Sequence, residues 1–138
     1  MRLSDFAGTW RLTKRLHDRR AGVEGHFEGK ARFTPAATGL AYEETGLLSL
    51  AGQRPLAAER RYLWREEAGR IAVDYADGRP FHEFDADDPA PLAEHLCAPD
   101  HYAVRYDFAG WPEWEAEWTV TGPRKDYLLR CRYSPSAS

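Results

Sequence analysis

The stretch HFEGKARF, residues 26–33, alternates between two kinds of side chain along its whole length. Odd-numbered positions are apolar or small, and even-numbered positions are polar or charged. Successive side chains of a β-strand point to opposite faces, so this pattern predicts a strand with one buried face. The residues predicted to point inward are Phe27, Gly29, Ala31 and Phe33; those predicted to point outward are His26, Glu28, Lys30 and Arg32.

The same period of two recurs along the chain in short blocks separated by Gly, Pro and Asp. Asp77-Gly78, between two such blocks, is a strong hairpin signal. Strands that follow one another in sequence tend to pair, so we expect an all-β fold. The prediction is an antiparallel meander of about eight to ten strands, closed into a calycin-like or lipocalin-like barrel. Closure would leave no free sheet edge.

The segment DADDPAPLAEHLCAPD, residues 85–100, interrupts the alternation with acidic residues and prolines. Pro91 suits the first position of a helix, so a short helical turn is expected near residues 91–96. We expect one domain over residues 1–133. The small polar residues 134–138, SPSAS, are expected to form a flexible tail.

Composition narrows the classes of partner for this 138-residue chain. The formal net charge of −3 gives no reason to expect nucleic acid or an anionic membrane surface. Aromatic residues make up 13% of the chain, and such rings often line small-molecule cavities. Two cysteines do not make a disulfide framework, and the first ten residues lack the apolar core of a secretory signal. We therefore expect a cytoplasmic protein with a small-molecule ligand, and oligomeric state stays open.

The segment FAGTWRL, residues 6–12, resembles the Gly-x-Trp signature with which calycin barrels begin. Together with DGRPFHEF (77–84), EHLCAPDHY (94–102) and TGPRKDY (121–127), it makes the chain similar to an uncharacterised bacterial family of small lipocalin-like proteins, from Phe6 to Tyr133. The resemblance implies a one-domain calycin-like barrel with no agreed activity. It also implies that Trp10 closes the barrel base beneath an arginine from the last strand, either Arg130 or Arg132, through cation–π stacking.

When the strands are phased by their aromatic residues, several polar side chains share the inner face. They are candidates for binding a partly apolar ligand with an acidic group: Lys14, Tyr42, Glu44, Arg60, Tyr62, His82, His95, Tyr102, Tyr106, Trp118 and Arg124. The inner charges have a second interpretation, with equal weight, as a Glu44–Arg60 ion pair bridging neighbouring strands. In TGPRKDY, a structural turn, with Asp126 accepting backbone N–H groups, is favoured over an anion clamp by Arg124 and Lys125.

His82, His95, Cys97 and Tyr102 allow a different function, an enzyme with acid–base or hydrolytic chemistry. Zinc binding by the same histidines and Cys97 is less favoured, because the spacing of His95 and Cys97 is not a recognised zinc pair and no Cys-x-x-Cys is present to complete a signature. If Cys97 has a structural role instead of a chemical one, we expect it to be a small core residue. We favour a segment lining one end of the barrel, with His82 and His95 facing the cavity and His82 titrating between about pH 5 and 8. The sequence does not identify a cofactor or decide whether a reaction is catalysed.

Overall fold

The computed structural model describes residues 1–136, which form ten β-strands and one short 3₁₀ helix, Leu3–Phe6. The strands are β1 Gly8–Asp18, β2 Val23–Ala36, β3 Gly39–Leu50, β4 Leu56–Glu67, β5 Arg70–Tyr75, β6 Pro80–Asp85, β7 Leu92–Cys97, β8 Asp100–Asp107, β9 Trp114–Thr121 and β10 Asp126–Pro135. No helix in this described part of the chain is long and apolar enough to cross a membrane.

The strands form one sheet in the order β6-β5-β4-β3-β2-β1-β10-β9-β8-β7, and every paired neighbour is antiparallel. The first and last strands pair with each other, so the sheet curls into a nearly closed barrel. The predicted all-β meander is confirmed.

The expectation of a sheet without edges is wrong, because no backbone ladder joins β6 to β7 in the described residues. We call this gap the β6–β7 seam. Pro80, at the start of β6, has no N–H to donate. The ring of Phe81 lies 5.3 Å from that of His95, so side chains occupy the space between the two edge strands.

The alternation that predicts β2 is confirmed, since Phe27, Ala31 and Phe33 are buried while their polar neighbours are not. At the end of the barrel where β1 begins, aromatic side chains pack into a solid base. Phe6, from the 3₁₀ helix, is fully buried at its centre, and its ring lies 5.3 Å from that of Trp114. The indole Nε1 of Trp10 donates a hydrogen bond of 2.8 Å to the carbonyl oxygen of Phe6.

The resemblance implies that an arginine of the last strand stacks on Trp10, and this expectation is wrong. Arg130 and Arg132 flank the buried Cys131 on β10, so alternation turns both arginines to the outer face. There they pair with Glu117 and Glu115 of β9 at 3.1 and 3.2 Å. Trp10 instead packs beneath other rings of the base.

The helical turn expected near residues 91–96 is also wrong, because this segment is strand β7. It pairs with β8 from Leu92 opposite Arg105 to Cys97 opposite Asp100. Pro91 does not start a helix, and its carbonyl accepts the N–H of Tyr106 at 3.0 Å. Pairing with a neighbouring strand outweighs a weak local preference for a turn.

Strand β10 continues past the expected domain end at residue 133. It pairs with β1 up to Pro135, which lies opposite Trp10, and the N–H of Ser136 donates to the carbonyl of Thr9 at 3.1 Å. Residues 134–136 of the expected flexible tail are therefore joined to the sheet. The rest of that predicted tail, residues 137–138, lies outside the described residues.

Two glycines allow β2 and β3 to approach closely. Gly29 faces Gly46 in the ladder, and a Cβ added to Gly29 would lie only 2.1 Å from the carbonyl oxygen of Thr45. No side chain fits at that distance. The close approach of β2 and β3 therefore requires glycine, which has no side chain, at this position.

Candidate functional site: a ring-lined cavity inside the barrel

A cavity of about 430 Å³ occupies the barrel between the ring-packed base and the opposite end. Its wall contains nine of the eleven side chains predicted to bind a ligand. These are Lys14, Tyr42, Glu44, Arg60, Tyr62, His82, Tyr102, Tyr106 and Trp118. His95 and Arg124 are not part of the wall. The phasing of the strands thus gathers the predicted residues, while their role in binding remains a prediction.

The charged centre of the cavity is an ion pair between β1 and β3. Lys14 Nζ lies 2.5 Å from Glu44 Oε1, and the two side chains are 10% and 4% exposed. The other carboxylate oxygen, Oε2, accepts a hydrogen bond of 2.5 Å from Tyr42 OH. Both oxygens of Glu44 are therefore engaged by donors of the protein.

The hydroxyl groups next to this pair form a chain with a fixed direction. Tyr42 OH lies 2.8 Å from Tyr133 OH, and an ionised carboxylate can only accept. Tyr42 must therefore donate to Glu44, and Tyr133 must donate to Tyr42. Burial raises the pKa of both phenols well above the usual value, so both keep their protons. Tyr133 was not a predicted site residue, although its inward position was readable from the alternation of β10.

Arg60 lies opposite Glu44 in the β3–β4 ladder and reaches toward the same carboxylate. Its Nε is 3.7 Å from Glu44 Oε1, a longer contact than that of Lys14. The predicted Glu44–Arg60 pair is present, but Lys14 is the closer partner. Because the Arg60 side chain is 61% exposed, its guanidinium faces both the cavity and the solvent at the cavity mouth.

The other side of the cavity depends on a bulge in β6. Val73 of β5 pairs with His82, whereas the next residue, Asp74, pairs with Pro80, which leaves Phe81 without a partner in that ladder. An extra residue lets two consecutive side chains point to the same side. Phe81 and His82 are accordingly both buried, at 7% and 8% exposure. The inward direction of His82 agrees with the alternation, but that pattern gives no signal for Phe81.

His82 is held neutral by its surroundings. Burial lowers the pKa of its imidazole to about 3, and the neighbouring His95 adds to the shift. The expected titration of His82 between pH 5 and 8 is therefore wrong, because burial disfavours the charged form of its imidazole. Nε2 lies 2.8 Å from Tyr106 OH, and Nδ1 is buried without a hydrogen-bond partner among residues 1–136.

The other three residues of the predicted acid–base cluster, His95, Cys97 and Tyr102, lie on β7 and β8. The half-buried ring of His95 is 6.2 Å from that of Tyr102, whose hydroxyl accepts a hydrogen bond of 3.2 Å from Lys125. Cys97 is exposed, so the interpretation of it as a core residue is wrong; it sits in β7 just before the turn to β8.

In the part of the chain that the structure describes, no hydrogen bond joins any two of His82, His95, Cys97 and Tyr102. The ring of Phe81 contacts both histidines, at 4.7 and 5.3 Å between centroids. Within the same residues, no group of three His, Cys, Asp or Glu side chains is placed to hold a metal ion. The arrangement therefore offers no assembled nucleophile–base pair.

The TGPRKDY segment ties the turns at the open end together. Arg20 Nη1 donates to the carbonyl of Pro123 at 2.6 Å, and Arg19 pairs with Asp126 at 2.9 Å. Asp126 thus meets an arginine instead of the backbone N–H groups expected within its own turn. Lys125 Nζ lies 3.1 Å from Asp100. These contacts fit the structural interpretation of the motif, and Arg124 is exposed outside the cavity.

The fold and the cavity together define a class: a small antiparallel barrel with a solid base and a ring-lined internal cavity that contains buried charges. The chain belongs to a family of unknown function, DUF6314, whose model matches residues 6–135. No curated protein shows significant sequence similarity to the chain.

The barrel fold is shared with a solved structure of low sequence identity. The S-type phycobiliprotein lyase CPES from Guillardia theta superposes with a TM-score of 0.66 at 12% identity, over 99% of this chain and 91% of the lyase. A redesigned β-barrel, mFAP1, bound to DFHBI has a TM-score of 0.44 at 10% identity, over 96% and 97% of the two chains. A de novo designed fluorescence-activating β-barrel has a TM-score of 0.40 at 16% identity, over 96% of both chains.

Proposed function

We propose that the barrel binds a small, partly apolar molecule through an acidic group, and that it does so without an assembled catalytic site. The observation that carries this proposal is the surplus of hydrogen-bond donors in a cavity otherwise lined by rings.

The surplus follows from counting donors and acceptors around Glu44. The ammonium of Lys14 has three N–H groups and makes one hydrogen bond within residues 1–136, to Glu44. Arg60 has five N–H groups, and its partners at the cavity are Glu44 and Tyr62. Because both oxygens of Glu44 already accept short hydrogen bonds, the remaining donors are best satisfied by a ligand rich in acceptors. A carboxylate provides about four acceptor positions.

Two further carboxylates touch the cavity wall, and neither supplies those acceptors. Asp18 accepts the backbone N–H groups of Arg20 and Ala21, each at 3.1 Å, and so closes its own turn. Glu59 is exposed and precedes Arg60 on β4, so alternation directs it outward.

The test compares a panel of alkyl and aryl carboxylates with their methyl esters by isothermal titration calorimetry. Loss of the charge from a ligand that forms a charge-assisted hydrogen bond is expected to weaken binding about tenfold. Arg60→Gln should remove most of this preference for acid over ester. Arg61→Gln is the matched control, because Arg61 pairs with Glu43 on the outer face at 3.0 Å. Equal affinity for acids and esters would overturn the proposal.

The proposal extends to a cytoplasmic setting, the expectation from the sequence. In residues 1–136 both cysteines are free, and unpaired thiols are typical of a reducing compartment. Fractionation of the native host with an antibody to this chain tests this. Recovery with a secreted or envelope fraction would overturn that part of the proposal and leave the ligand specificity unaffected.

A further inference from the structure

We infer that the acid accepted by the cavity is flat and conjugated: an aryl or arylalkenyl carboxylate of one or two rings, rather than a flexible aliphatic acid. This inference rests on the proposed function, and it adds the shape of the ligand body to the charge of its head group. It depends on three observations: the orientation of the rings, the volume of the cavity, and the spacing between rings and donors.

The first observation is that three rings stack around Phe81, although two of them, Tyr62 and Tyr75, are tilted by 44° to one another. The ring of Phe81 is nearly parallel to that of Tyr75, at 4.6 Å and 21°, and to that of Trp118, at 5.3 Å and 13°. Tyr62 lies at 5.7 Å and 24° to the same ring. All four side chains line the cavity. We call them the ring wall.

The rings stacked around Phe81 distinguish flat ligands from flexible ones. A conjugated ligand can join the wall in an offset-stacked arrangement and gain an interaction beyond the area that it buries. An alkyl chain gains only the burial of its surface, and it also loses rotational freedom when it is confined. The ring wall therefore favours a rigid plane over a chain with the same number of atoms.

The second observation is that the volume of the cavity matches a ligand of one or two rings. At about 30 Å³ for each water in the liquid, the cavity of about 430 Å³ has room for about 14 water-sized groups. One or two fused rings with a short acidic side chain fill such a space.

The third observation is that the donors and the ring wall are neighbours. Lys14 lies opposite Cys131, and Cys131 lies opposite Ala116 on β9. Strands are spaced about 4.8 Å apart, so Lys14 and Ala116 stand about 10 Å apart along one row of the sheet. Trp118 points inward two residues further along β9. A ligand of one or two rings is long enough to touch Trp118 while its acid reaches Lys14.

The experiment compares two carboxylates with the same number of non-hydrogen atoms, 4-hydroxycinnamate and decanoate, by isothermal titration calorimetry. We expect 4-hydroxycinnamate to bind about threefold to tenfold more tightly, the gain available from stacking. In Phe81→Leu this advantage should disappear while decanoate binding stays the same. Trp111→Leu is the control: its ring contacts Phe6 at the base and lies outside the cavity wall, so the preference should remain.

Each outcome bears on the inference. Equal binding of the two acids, or a preference for decanoate, overturns the flat ligand while the acid-over-ester preference still supports the proposed function. If no carboxylate of the panel binds, both fail together. If circular dichroism shows that Phe81→Leu does not fold, Trp118→Leu makes the same comparison from the other side of the ring wall. A preference that survives both substitutions overturns the inference.

Discussion

Lys14 and Glu44 form an ion pair of 2.5 Å although they stand on strands β1 and β3, which are not neighbours in the sheet. Strand β2 lies between them, and the long lysine side chain crosses it inside the barrel. The contact joins β1 to β3, which share no backbone ladder with each other. Since both side chains are nearly free of solvent, the charge of either residue is poorly tolerated without the other.

Lys14→Met should therefore lower the free energy of unfolding by about 3 kcal/mol, because it leaves the buried Glu44 with only the longer contact to the exposed Arg60 as countercharge. Urea denaturation measures this loss. The double variant Lys14→Met, Glu44→Gln should recover part of the stability, since the amide carries no charge. A double variant whose loss equals the sum of the two single losses would show that the residues do not interact.

The neutral state of His82 predicts how stability depends on pH. The pKa of this residue is about 3 in the folded protein and about 6.5 in the unfolded chain, so the unfolded chain binds the extra proton first. The contribution to stability is fully present above pH 6.5 and is lost progressively as the pH falls toward 3. Between pH 6.5 and 5 the loss should be about 2 kcal/mol.

The control for this pH effect is His82→Gln, which can still hydrogen-bond Tyr106 and does not titrate. The difference in unfolding free energy between wild type and this variant should change with pH over that range. A constant difference would contradict a neutral, buried imidazole.

Trp10 and His82 should separate stability from binding. Trp10→Ala removes a ring that packs 5.5 Å from Trp111 and a hydrogen bond to Phe6, so we expect a loss of about 3 to 5 kcal/mol in stability. His82→Ala leaves the Tyr106 hydroxyl without a partner, at a cost of about 1 to 3 kcal/mol. It should weaken ligand binding more than it weakens folding. Thermal denaturation and calorimetric titration of both variants measure this, and the reverse ranking would contradict the assignment.

The two thiols should react at very different rates. Cys97 is exposed, whereas Cys131 is buried and burial raises its pKa to about 12. Ellman's reagent should therefore label one thiol quickly in the folded protein and the second only on denaturation. Cys97→Ser should abolish the fast phase. Rapid labelling of two thiols in the native protein would contradict the placement of Cys131.

Gly29 should be intolerant of even a methyl group. In Gly29→Ala the new carbon would meet the carbonyl oxygen of Thr45 at 2.1 Å, so the backbones of β2 and β3 must separate. We expect a loss of about 3 kcal/mol or more in urea denaturation. Gly110→Ala is the control, since its nearest neighbour is the carbonyl oxygen of Glu113 at 3.4 Å. Similar losses in the two variants would show that the close approach is not the cause.

Alternation predicts which side chains share the interior, because a strand with one buried face must repeat every two residues. Lys14, Glu44 and His82 could be placed in this way. Phe81 could not, since a bulge is a property of two strands and leaves no mark in the sequence of one. The preference of Glu44 for Lys14 over Arg60 was equally hidden, because it depends on how far a side chain reaches across an intervening strand.

The β6–β7 seam also affects the shape that the barrel can adopt. In a fully closed barrel, the number of strands and their stagger together determine the circumference. A sheet with one unpaired junction is a split ring, whose two ends can move apart or slide without breaking any backbone ladder. Phe81 and His95 lie at that junction, and Phe81 belongs to the cavity wall. Any change in the diameter of the interior that preserves every ladder must therefore take place at this seam, where the aromatic lining begins.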